Sequence, residues 1–377
     1  MKDFRYLYYL TRVEGLGSVR IKYLLERFGN AENVFGASQK DICDVENISD
    51  KTAESVLNAQ SRFDDYSKDY GSLLEKIEKS GLDVITYDDG IYPDLLKKIY
   101  DPPVILYFRG KYLKNNFINC ISIVGTRKPT DYGREVTRKF ATELSSLGLS
   151  VVSGFARGID TVAHKSVLDN HDAKAVTCAI MGCGVDVIYP PENKKLYNQM
   201  IEKGIIMSEY EPGTTPDKGN FPKRNRIISG ISLGTIIVES DNDGGAMITA
   251  RSALDQCREV FAVPGKINSR QSAGTNNLIK NSSAKLVESV QDVIDEIKNK
   301  LSGINFNLNG KPSGEIPDLK GPEMDIYTAL LSRNEAIHID TLAEECGLNI
   351  SGLLVTLLEM EFKGYIEQLP GKRFKIK

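Results

Sequence analysis

Six short runs rich in β-branched residues, separated from one another by helical patterns, constrain the fold of this chain more than any other feature. The runs lie at 120–126, 149–154, 173–180, 204–210, 233–240 and 258–265. Helical patterns separate them, for example at 132–147 and 157–169. This alternation is typical of a parallel sheet with helices on both faces. The sequence therefore predicts a doubly wound α/β domain, in which ligands bind at the carboxyl ends of the strands.

Three further segments flank this alternation, which we place within residues 81–299. Residues 1–80 show helical patterns with polar faces. Residues 300–322 are rich in glycine, proline and asparagine, a composition typical of a linker. Residues 323–377 have the length of a small separate domain. The sequence thus predicts three folded domains and one linker.

A Gly-x-Gly turn formed by Gly15 and Gly17 separates two helical patterns in the first segment. Two helices joined by such a turn form a helix-hairpin-helix, as in SAM-like domains, and backbone N–H groups at the helix start can hold a DNA phosphate. A degenerate second copy follows, in which Asn47 and Ser49 replace the glycines. A small helical packing domain without any DNA contact is the alternative.

The last segment has the pattern of a winged helix. Apolar residues recur at helical spacing in 323–334, 340–346 and 350–363, and a hairpin follows with its turn at Pro370 and Gly371. The presumed recognition helix contains no Arg, Lys, Asn or Gln that could contact a base edge. We therefore expect this domain to contact protein or support a dimer, with at most a weak phosphate contact from its basic wing.

Composition excludes several classes of protein. The net charge is −3, so overall charge gives no support to a nucleic-acid partner, and any such partner must be argued from local clusters. No apolar run approaches the roughly 18 residues that a membrane span needs. The six cysteines are scattered without a CxxC pair, which argues against a zinc site or disulfides and favours the cytoplasm.

Glycine and basic residues follow the predicted strands at the points where ligands are expected. Glycines let backbone N–H groups approach an anion, helix N-termini add positive potential, and guanidinium groups bind phosphate. Several such loops on one sheet edge predict a phosphate-rich ligand. The residues concerned are Gly125, Thr126, Arg127, Ser153, Gly154, Phe155, Arg157, Gly158, Lys223, Arg224, Asn225 and Arg226.

Two nucleotide-binding motifs are missing from these loops. A nicotinamide cofactor calls for G-x-G-x-x-G after the first strand, whereas Gly125 and Gly133 are too far apart. The second strand ends in Ser153 and Gly154, without the acid that would bind a ribose hydroxyl. A Walker loop is also absent. No cofactor is therefore expected.

Catalytic residues are hard to assign. We interpret His164 as a packing histidine, and Glu209 and Glu239 as carboxylates that orient the basic loops. Asp186 has the context of a turn or capping residue. No Ser-His-Asp or metal-spaced cluster is evident. A non-enzymatic protein is expected, and a nucleotide or phosphoribosyl hydrolase that uses Glu209 or Glu239 is the alternative.

Residues 121–286 contain a series of motifs in the order and spacing of one family. They include SIVGTRKPTDYG, VVSGFARGIDTVAH, MGCGVDVIYPPEN, FPKRNRIISG and IIVESDNDGGAMITA. In these motifs the chain resembles the DprA/Smf family of bacterial DNA-processing proteins of natural transformation. The resemblance implies an extended Rossmann-like domain that binds single-stranded DNA, forms a homodimer, protects incoming strands and helps to load the recombinase RecA.

The resemblance also implies site residues. The family's DNA pocket uses the arginine of a G-[ST]-R loop, which corresponds to Arg127 here. The S-G-x-A-R-G loop supplies further contacts. Basic residues near two other motifs are implicated as well. The positions added by the resemblance are Asn193 and Lys195. The chain departs from the family at 244–247, where GGAM replaces the frequent SGSL, so hydrogen bonds from two hydroxyl groups are lost.

We expect backbone amides and arginines to hold successive phosphates with little contact to base edges. Phe155 or Phe221 could stack on a base, although such a residue more often packs in the core beneath a loop. A structural adaptor whose basic rim docks an acidic protein is a third possibility.

Overall fold

The computed structural model describes residues 3–302, 319, 321–333, 336–363 and 365–376. Contacts divide the chain into two compact units, Met1–Ile304 and Asn305–Lys377, which we call the first and the second unit. Most of the predicted linker, 300–322, lies outside the described residues. The division into three domains and a linker at the stated boundaries stays a prediction.

The first unit begins with six helices that contain the predicted pair of hairpins. Gly15 has a φ of 82°, and Gly17 caps the helix that follows. In the second hairpin Asn47 takes the left-handed conformation, and the Ser49 side chain accepts a hydrogen bond from the Thr52 amide. The tandem helix-hairpin-helix fold is therefore confirmed. The six helices are α1 Arg5–Arg12, α2 Ser18–Phe28, α3 Ala31–Gly36, α4 Gln39–Cys43, α5 Asp50–Asn58 and α6 Phe63–Ser80.

A mostly parallel sheet follows, and it contains all six predicted strands side by side. Within the described part of the chain, nine strands pair in the order β1-β2-β6-β5-β4-β3-β7-β8-β9. The strands from β3 to β8 pair in parallel, which confirms the doubly wound domain. The strands are β1 Asp83–Thr86, β2 Ile105–Gly110, β3 Cys120–Val124, β4 Ser150–Ser153, β5 Thr177–Ile180, β6 Ile205–Ser208, β7 Gly234–Ile237, β8 Glu259–Ala262 and β9 Lys285–Leu286.

Helices cover both faces of this sheet, so the central strands are buried on both sides. Ile121 and Ile123 of β3 and Val151 and Val152 of β4 are fully buried, as expected for parallel strands between helices. The helices of this part are α7 Asp94–Lys97, α8 Asp131–Ser146, α9 Ile159–Leu168, α10 Lys194–Lys203, α11 Asn220–Ile231, α12 Gly245–Asp255, α13 Ala273–Lys280 and α14 Val290–Ile297.

The strand order reverses at β3, and this position decides where a ligand can bind. The chain proceeds from β3 to β4, β5 and β6 on one side, then returns to place β7 and β8 on the other. The connections after β3 and β7 therefore leave the sheet in opposite directions and open a crevice between them. The sequence patterns did not indicate β1 and β2. Strand β2 extends the sheet by antiparallel pairing with β6, and β1 pairs antiparallel with β2.

The second unit has the fold of a winged helix, which confirms the prediction. Leu353, Leu357 and Met360 are buried in its core. Its short sheet has the order β10-β12-β11, and Gly371 takes a φ of 85° in the turn of the wing. The elements are α15 Pro322–Arg333, β10 Ile337–His338, α16 Ile339–Cys346, α17 Ile350–Phe362, β11 Ile366–Leu369 and β12 Arg373–Ile376.

No single helix of the described residues has the length and apolar composition to cross a membrane. Helices α16 and α17 have that length and composition only when they are counted together, and the chain bends by 105° between them. All six cysteines are unpaired.

Candidate nucleic-acid interface

A cleft of about 660 Å³ opens at the carboxyl edge of the sheet, where the strand order reverses. The loops after β3 and β7 and the starts of α9, α11 and α12 line it, and a smaller pocket beside it is lined by the loops after β4 and β5. Arg127, Ala156, Tyr189 and Phe221 line both spaces, which we together call the rim cleft. Most of the glycine-rich loops predicted to meet at one edge therefore do so.

Two glycines bring the loops after β3 and β4 into direct contact. A Cβ at Gly125 would lie 2.6 Å from Ile159 Cγ1, and a Cβ at Gly158 would overlap the carbonyl oxygen of Thr126. Gly158 also has a φ of 81°, which disfavours any other residue. The Ile159 amide donates to the Thr126 carbonyl at 3.2 Å. The close approach therefore fixes the start of α9 against the loop that carries Arg127.

Glu239 holds the start of α8 in place. Its carboxylate accepts hydrogen bonds from the Thr130 amide at 2.9 Å and from the Thr130 hydroxyl at 2.5 Å. Gly133 lies against the same carboxylate, so that a Cβ there would overlap it. Glu239 is buried and fully engaged, as expected for a carboxylate that orients a loop. It is poorly placed to act as a general base.

Arg224 lines the rim cleft, but its guanidinium group is engaged in the protein interior. Only 4% of the residue is exposed, and Nη1 donates to the carbonyl oxygens of Gly154, at 2.6 Å, and of Ile180. Asp160 lies beside it and accepts from the amides of Gly154 and Ala156 at 3.1 and 3.2 Å. The expectation of a free cation on the rim is therefore wrong for Arg224, which positions the loop after β4.

Burial dominates the titration of this pair. It raises the pKa of Asp160 to about 6, against the opposing effect of the Arg224 charge. It also lowers the pKa of Arg224 to about 10. The guanidinium group stays charged at neutral pH, whereas Asp160 titrates just below neutrality.

Arg226 is also unavailable to a ligand. Its guanidinium group is 14% exposed, and it binds the Glu209 carboxylate with two hydrogen bonds of 2.8 and 2.7 Å. Nε donates to Asp101 at 2.7 Å. The ion pair confirms that Glu209 engages an arginine, and it corrects the prediction that Arg226 offers a free charge. Arg157 lines the smaller pocket while pairing with Glu192 at the surface.

Arg127 is the predicted arginine that remains free at the cleft. It is exposed and makes no ion pair with any residue in the described ranges. Its guanidinium carbon lies 5.8 Å from the ring centroid of Phe221, within range of a cation–π interaction. The Phe221 ring packs in turn against Tyr189, with centroids 5.5 Å apart. The cleft thus presents a cation above an aromatic surface.

The two phenylalanines singled out in the sequence differ in their surroundings. Phe155 is 1% exposed and packs between the rings of His164 and Tyr197, so it is a core residue beneath its loop. Phe221 is half-buried and forms a wall of the cleft. Stacking on a base is therefore feasible for Phe221 and not for Phe155.

Four other predicted residues lie outside the cleft, and two of them support its loops. Ser153 is buried, and its hydroxyl donates to the Ile123 carbonyl at 2.6 Å. Asn193 is buried and donates to the Phe155 carbonyl at 3.2 Å. Lys195 and Lys223 are exposed but line neither space. Of the FPKRNR motif, only the phenylalanine, the proline, Arg224 and Asn225 reach the cleft.

Three residues that were not predicted from the sequence also reach the cleft. Lys218 and Lys128 add exposed positive charge, and Tyr189 adds the second aromatic ring. Lys218 precedes Phe221 by three residues, a spacing that places both near the start of α11. That spacing could have indicated from the sequence that Lys218 belongs to the site. Tyr189 has no such signal, since it reaches the cleft from the loop that follows β5.

His164 is a packing histidine, as expected. Nδ1 lies 2.7 Å from the Thr177 hydroxyl, and burial lowers the pKa of the imidazole to about 3. The Asp186 carboxylate accepts from the Gly213 amide at 2.8 Å and so joins two loops.

The sequence matches three family models. The model of the family described as DNA recombination-mediator protein A matches residues 83–298. The model of the DprA winged helix domain matches 311–372, and that of a SAM-like helix-hairpin-helix tandem matches 7–59. Together they cover the hairpins, the sheet with its cleft, and the second unit.

Curated relatives share most of this length. Protein Smf of Synechocystis is 32% identical over 393 residues, which cover 97% of this chain and 96% of that protein. DNA processing protein DprA of Bacillus subtilis is 40% identical over 225 residues, which cover 60% of this chain and 74% of that protein.

Solved structures agree with these matches. DprA from Streptococcus pneumoniae gives a TM-score of 0.65 at 32% identity, over 81% of this chain and all of that one. DprA from Helicobacter pylori, a structure described for its single-stranded DNA binding mode, gives 0.52 at 32% identity, over 59% of this chain and 99% of that one. The family models, the relatives and the shared fold show that this chain belongs to the DprA/Smf family of DNA-processing proteins.

Proposed function

We propose that this chain binds single-stranded DNA in the rim cleft, and that Arg127 and Phe221 are its principal contacts. The observation that carries the proposal is the unpaired guanidinium group of Arg127 above the half-buried ring of Phe221. A cation beside an aromatic surface suits a phosphate and the base attached to it. Lys128 and Lys218 extend the positive charge along the cleft.

The backbone of the cleft supports the same ligand. Helices α9, α11 and α12 begin at its wall, and their N-termini carry partial positive charge. The Helicobacter pylori relative, whose structure is described for its single-stranded DNA binding mode, shares its fold with 59% of this chain. Because the contacts are to phosphates and base faces, binding should depend little on sequence and strongly on salt.

Within DNA processing we propose a non-enzymatic role, in which the protein works in the cytoplasm as a homodimer, protects incoming strands and helps to load RecA. Glu209 and Glu239, the carboxylates considered as general bases, are held by Arg226 and Thr130, which disfavours a hydrolase. Two clefts on one dimer would raise the effective concentration of strand around the second site. The six unpaired cysteines suit a reducing compartment.

Fluorescence anisotropy of a labelled oligo-dT, measured across a range of salt concentrations, tests the binding proposal. Arg127→Ala should weaken binding to all sequences alike by about ten-fold and reduce the salt slope by about one. Arg138→Ala, an exposed arginine on α8 outside the cleft, is the matched control and should bind as the native chain does. An unchanged affinity for Arg127→Ala, or a loss limited to certain bases, would refute the proposed contact.

A further inference from the structure

The loop after β8, residues 264–272, continues the carboxyl edge of the sheet beyond the rim cleft, and we call it the β8 loop. Strands β4, β3, β7 and β8 are neighbours in that order, so the loops that follow them lie in a row along this edge. Arg157 follows β4, Arg127 follows β3 and Arg270 follows β8. The β8 loop therefore brings a third arginine to the edge where the first two line the cleft.

Hydrogen bonds and close packing fix both ends of the β8 loop. Near its start, the Gly265 amide donates to the Asn276 side chain at 3.1 Å, and the Gly265 carbonyl accepts from the same side chain at 3.0 Å. Just past its end, the Gly274 amide donates to the Ser240 carbonyl at 2.8 Å. A Cβ at Gly274 would lie 2.7 Å from the Asp241 carbonyl oxygen. The β8 loop is thus held against the loop after β7, which lines the cleft.

Arg270 is oriented by one carboxylate and keeps most of its guanidinium group free. Its Nε donates to the carboxylate of Asp241, which lines the rim cleft. The Arg270 side chain is 87% exposed, and its two Nη atoms have no hydrogen-bond partner among the described residues. Arg226, by contrast, donates to two carboxylates from Nε and both Nη atoms and is largely buried. A guanidinium group held through Nε still presents its two Nη atoms side by side, as a phosphate requires.

The charges around the β8 loop are balanced, so direct contact decides what Arg270 binds. Lys266 is exposed in the same loop, and Asp243 is exposed in the loop after β7. Asp241 is paired with Arg270, which offsets the negative charge that it brings to the cleft. A strand that is longer than the cleft must leave it at one end, and the row of loops places Arg270 beyond the β7 end.

We propose that Arg270 is a further phosphate contact for single-stranded DNA, reached only by strands long enough to extend past the loop after β7. The inference rests on the proposed binding of DNA in the rim cleft. It also gives Asp241 a role, because this carboxylate orients the guanidinium group through Nε and leaves the Nη atoms to the ligand. The β8 loop thereby sets the length of strand that the protein holds.

Fluorescence anisotropy with two labelled oligo-dT strands, of about four and about sixteen nucleotides, tests the contact in the full-length chain. Arg270→Ala should weaken binding of the long strand about five-fold and leave the short strand unchanged. Arg127→Ala should weaken both strands, and Arg27→Ala, at an exposed arginine on α2, is the matched control. If the native chain binds neither strand, the proposed function itself fails. If the native chain binds both, and Arg270→Ala weakens both alike or neither, only the Arg270 contact is overturned.

The Asp241→Asn background separates a phosphate contact from simple neutralisation of Asp241. Asparagine keeps an oxygen that can accept from Nε and removes the negative charge. If Arg270 binds phosphate, Arg270→Ala should still weaken the long strand about five-fold in this background and reduce the salt slope by about one. The Arg270 side chain is exposed, so the fold should persist, and circular dichroism checks this. Equal affinities of Asp241→Asn with and without Arg270→Ala would show that Arg270 only neutralises the carboxylate, and the proposal would be wrong.

Discussion

Arg224 donates a hydrogen bond from Nη1 to the carbonyl oxygen of Gly154 at 2.6 Å, and this bond joins helix α11 to the loop after β4. Gly154 has no room for a side chain there, because a Cβ would lie 2.8 Å from both Arg224 Nη2 and Asp160 Oδ2. The glycine is therefore required by the packing of a buried charged pair. The cleft wall depends on that packing.

Substitution of Gly154 by alanine should destabilise the protein by roughly 1–3 kcal/mol, because the added methyl group overpacks a buried site. Urea unfolding measures the change, and affinity for oligo-dT should fall with it as the loop shifts. Gly71→Ala, within α6 and outside the cleft, is the matched control, since a Cβ at Gly71 meets nothing within 4 Å. A Gly154→Ala variant with native stability would show that the loop adapts freely.

Phe221→Leu should weaken binding of single-stranded DNA by roughly 1–3 kcal/mol if one base stacks on the ring. Leucine keeps most of the apolar contact with the cleft wall, so the thermal stability should change little. Fluorescence anisotropy with normal and fully abasic oligonucleotides distinguishes a loss of base stacking from a general weakening of the cleft. If only stacking is lost, the abasic strand should bind the native chain and Phe221→Leu alike. Tyr100→Leu, at an aromatic residue 71% exposed outside the cleft, serves as control. Native affinity in Phe221→Leu would exclude stacking there.

Binding should strengthen as the pH falls from 7.5 to 5.5. The pKa of Asp160 is raised to about 6, so its carboxylate is ionised at the higher pH and largely protonated at the lower. Protonation removes a negative charge from the cleft and leaves the charge of Arg224 uncompensated, which favours an anionic ligand. Anisotropy at the two pH values measures the effect. Asp160→Asn should show tight binding with little pH dependence, and an undiminished dependence in that variant would assign it to another group.

Stability should fall in mild acid because of His164. Its pKa of about 3 in the folded chain lies below the unfolded value of about 6.5, so the contribution of the neutral imidazole is complete above pH 6.5. It is lost as the pH falls from there towards 3. The unfolding free energy of the native chain, relative to His164→Gln, should drop by about 1.4 kcal/mol between pH 7.5 and 5.5. A constant difference would mean that the buried imidazole titrates normally.

The six central strands were predictable from the sequence because each is a β-branched run bounded by glycine and followed by a helical pattern. Strands β1, β2 and β9 could not be predicted in this way. Strand β9 contains only Lys285 and Leu286, and β2 joins the sheet by antiparallel pairing with β6, from which it is far removed in the chain. Local periodicity carries no information about such a pairing partner.

The sequence by itself determined the fold class, the location of the ligand site at the strand ends, and the residue types that meet there. Only the tertiary structure decided which of those charges a ligand could reach. Arg226 pairs with Asp101, 125 residues earlier, and Arg224 is bound by the carbonyl of Gly154, 70 residues earlier, whereas Arg127 stays free. The availability of a charge depends on burial and on partners distant in sequence, and these are set only when the chain packs.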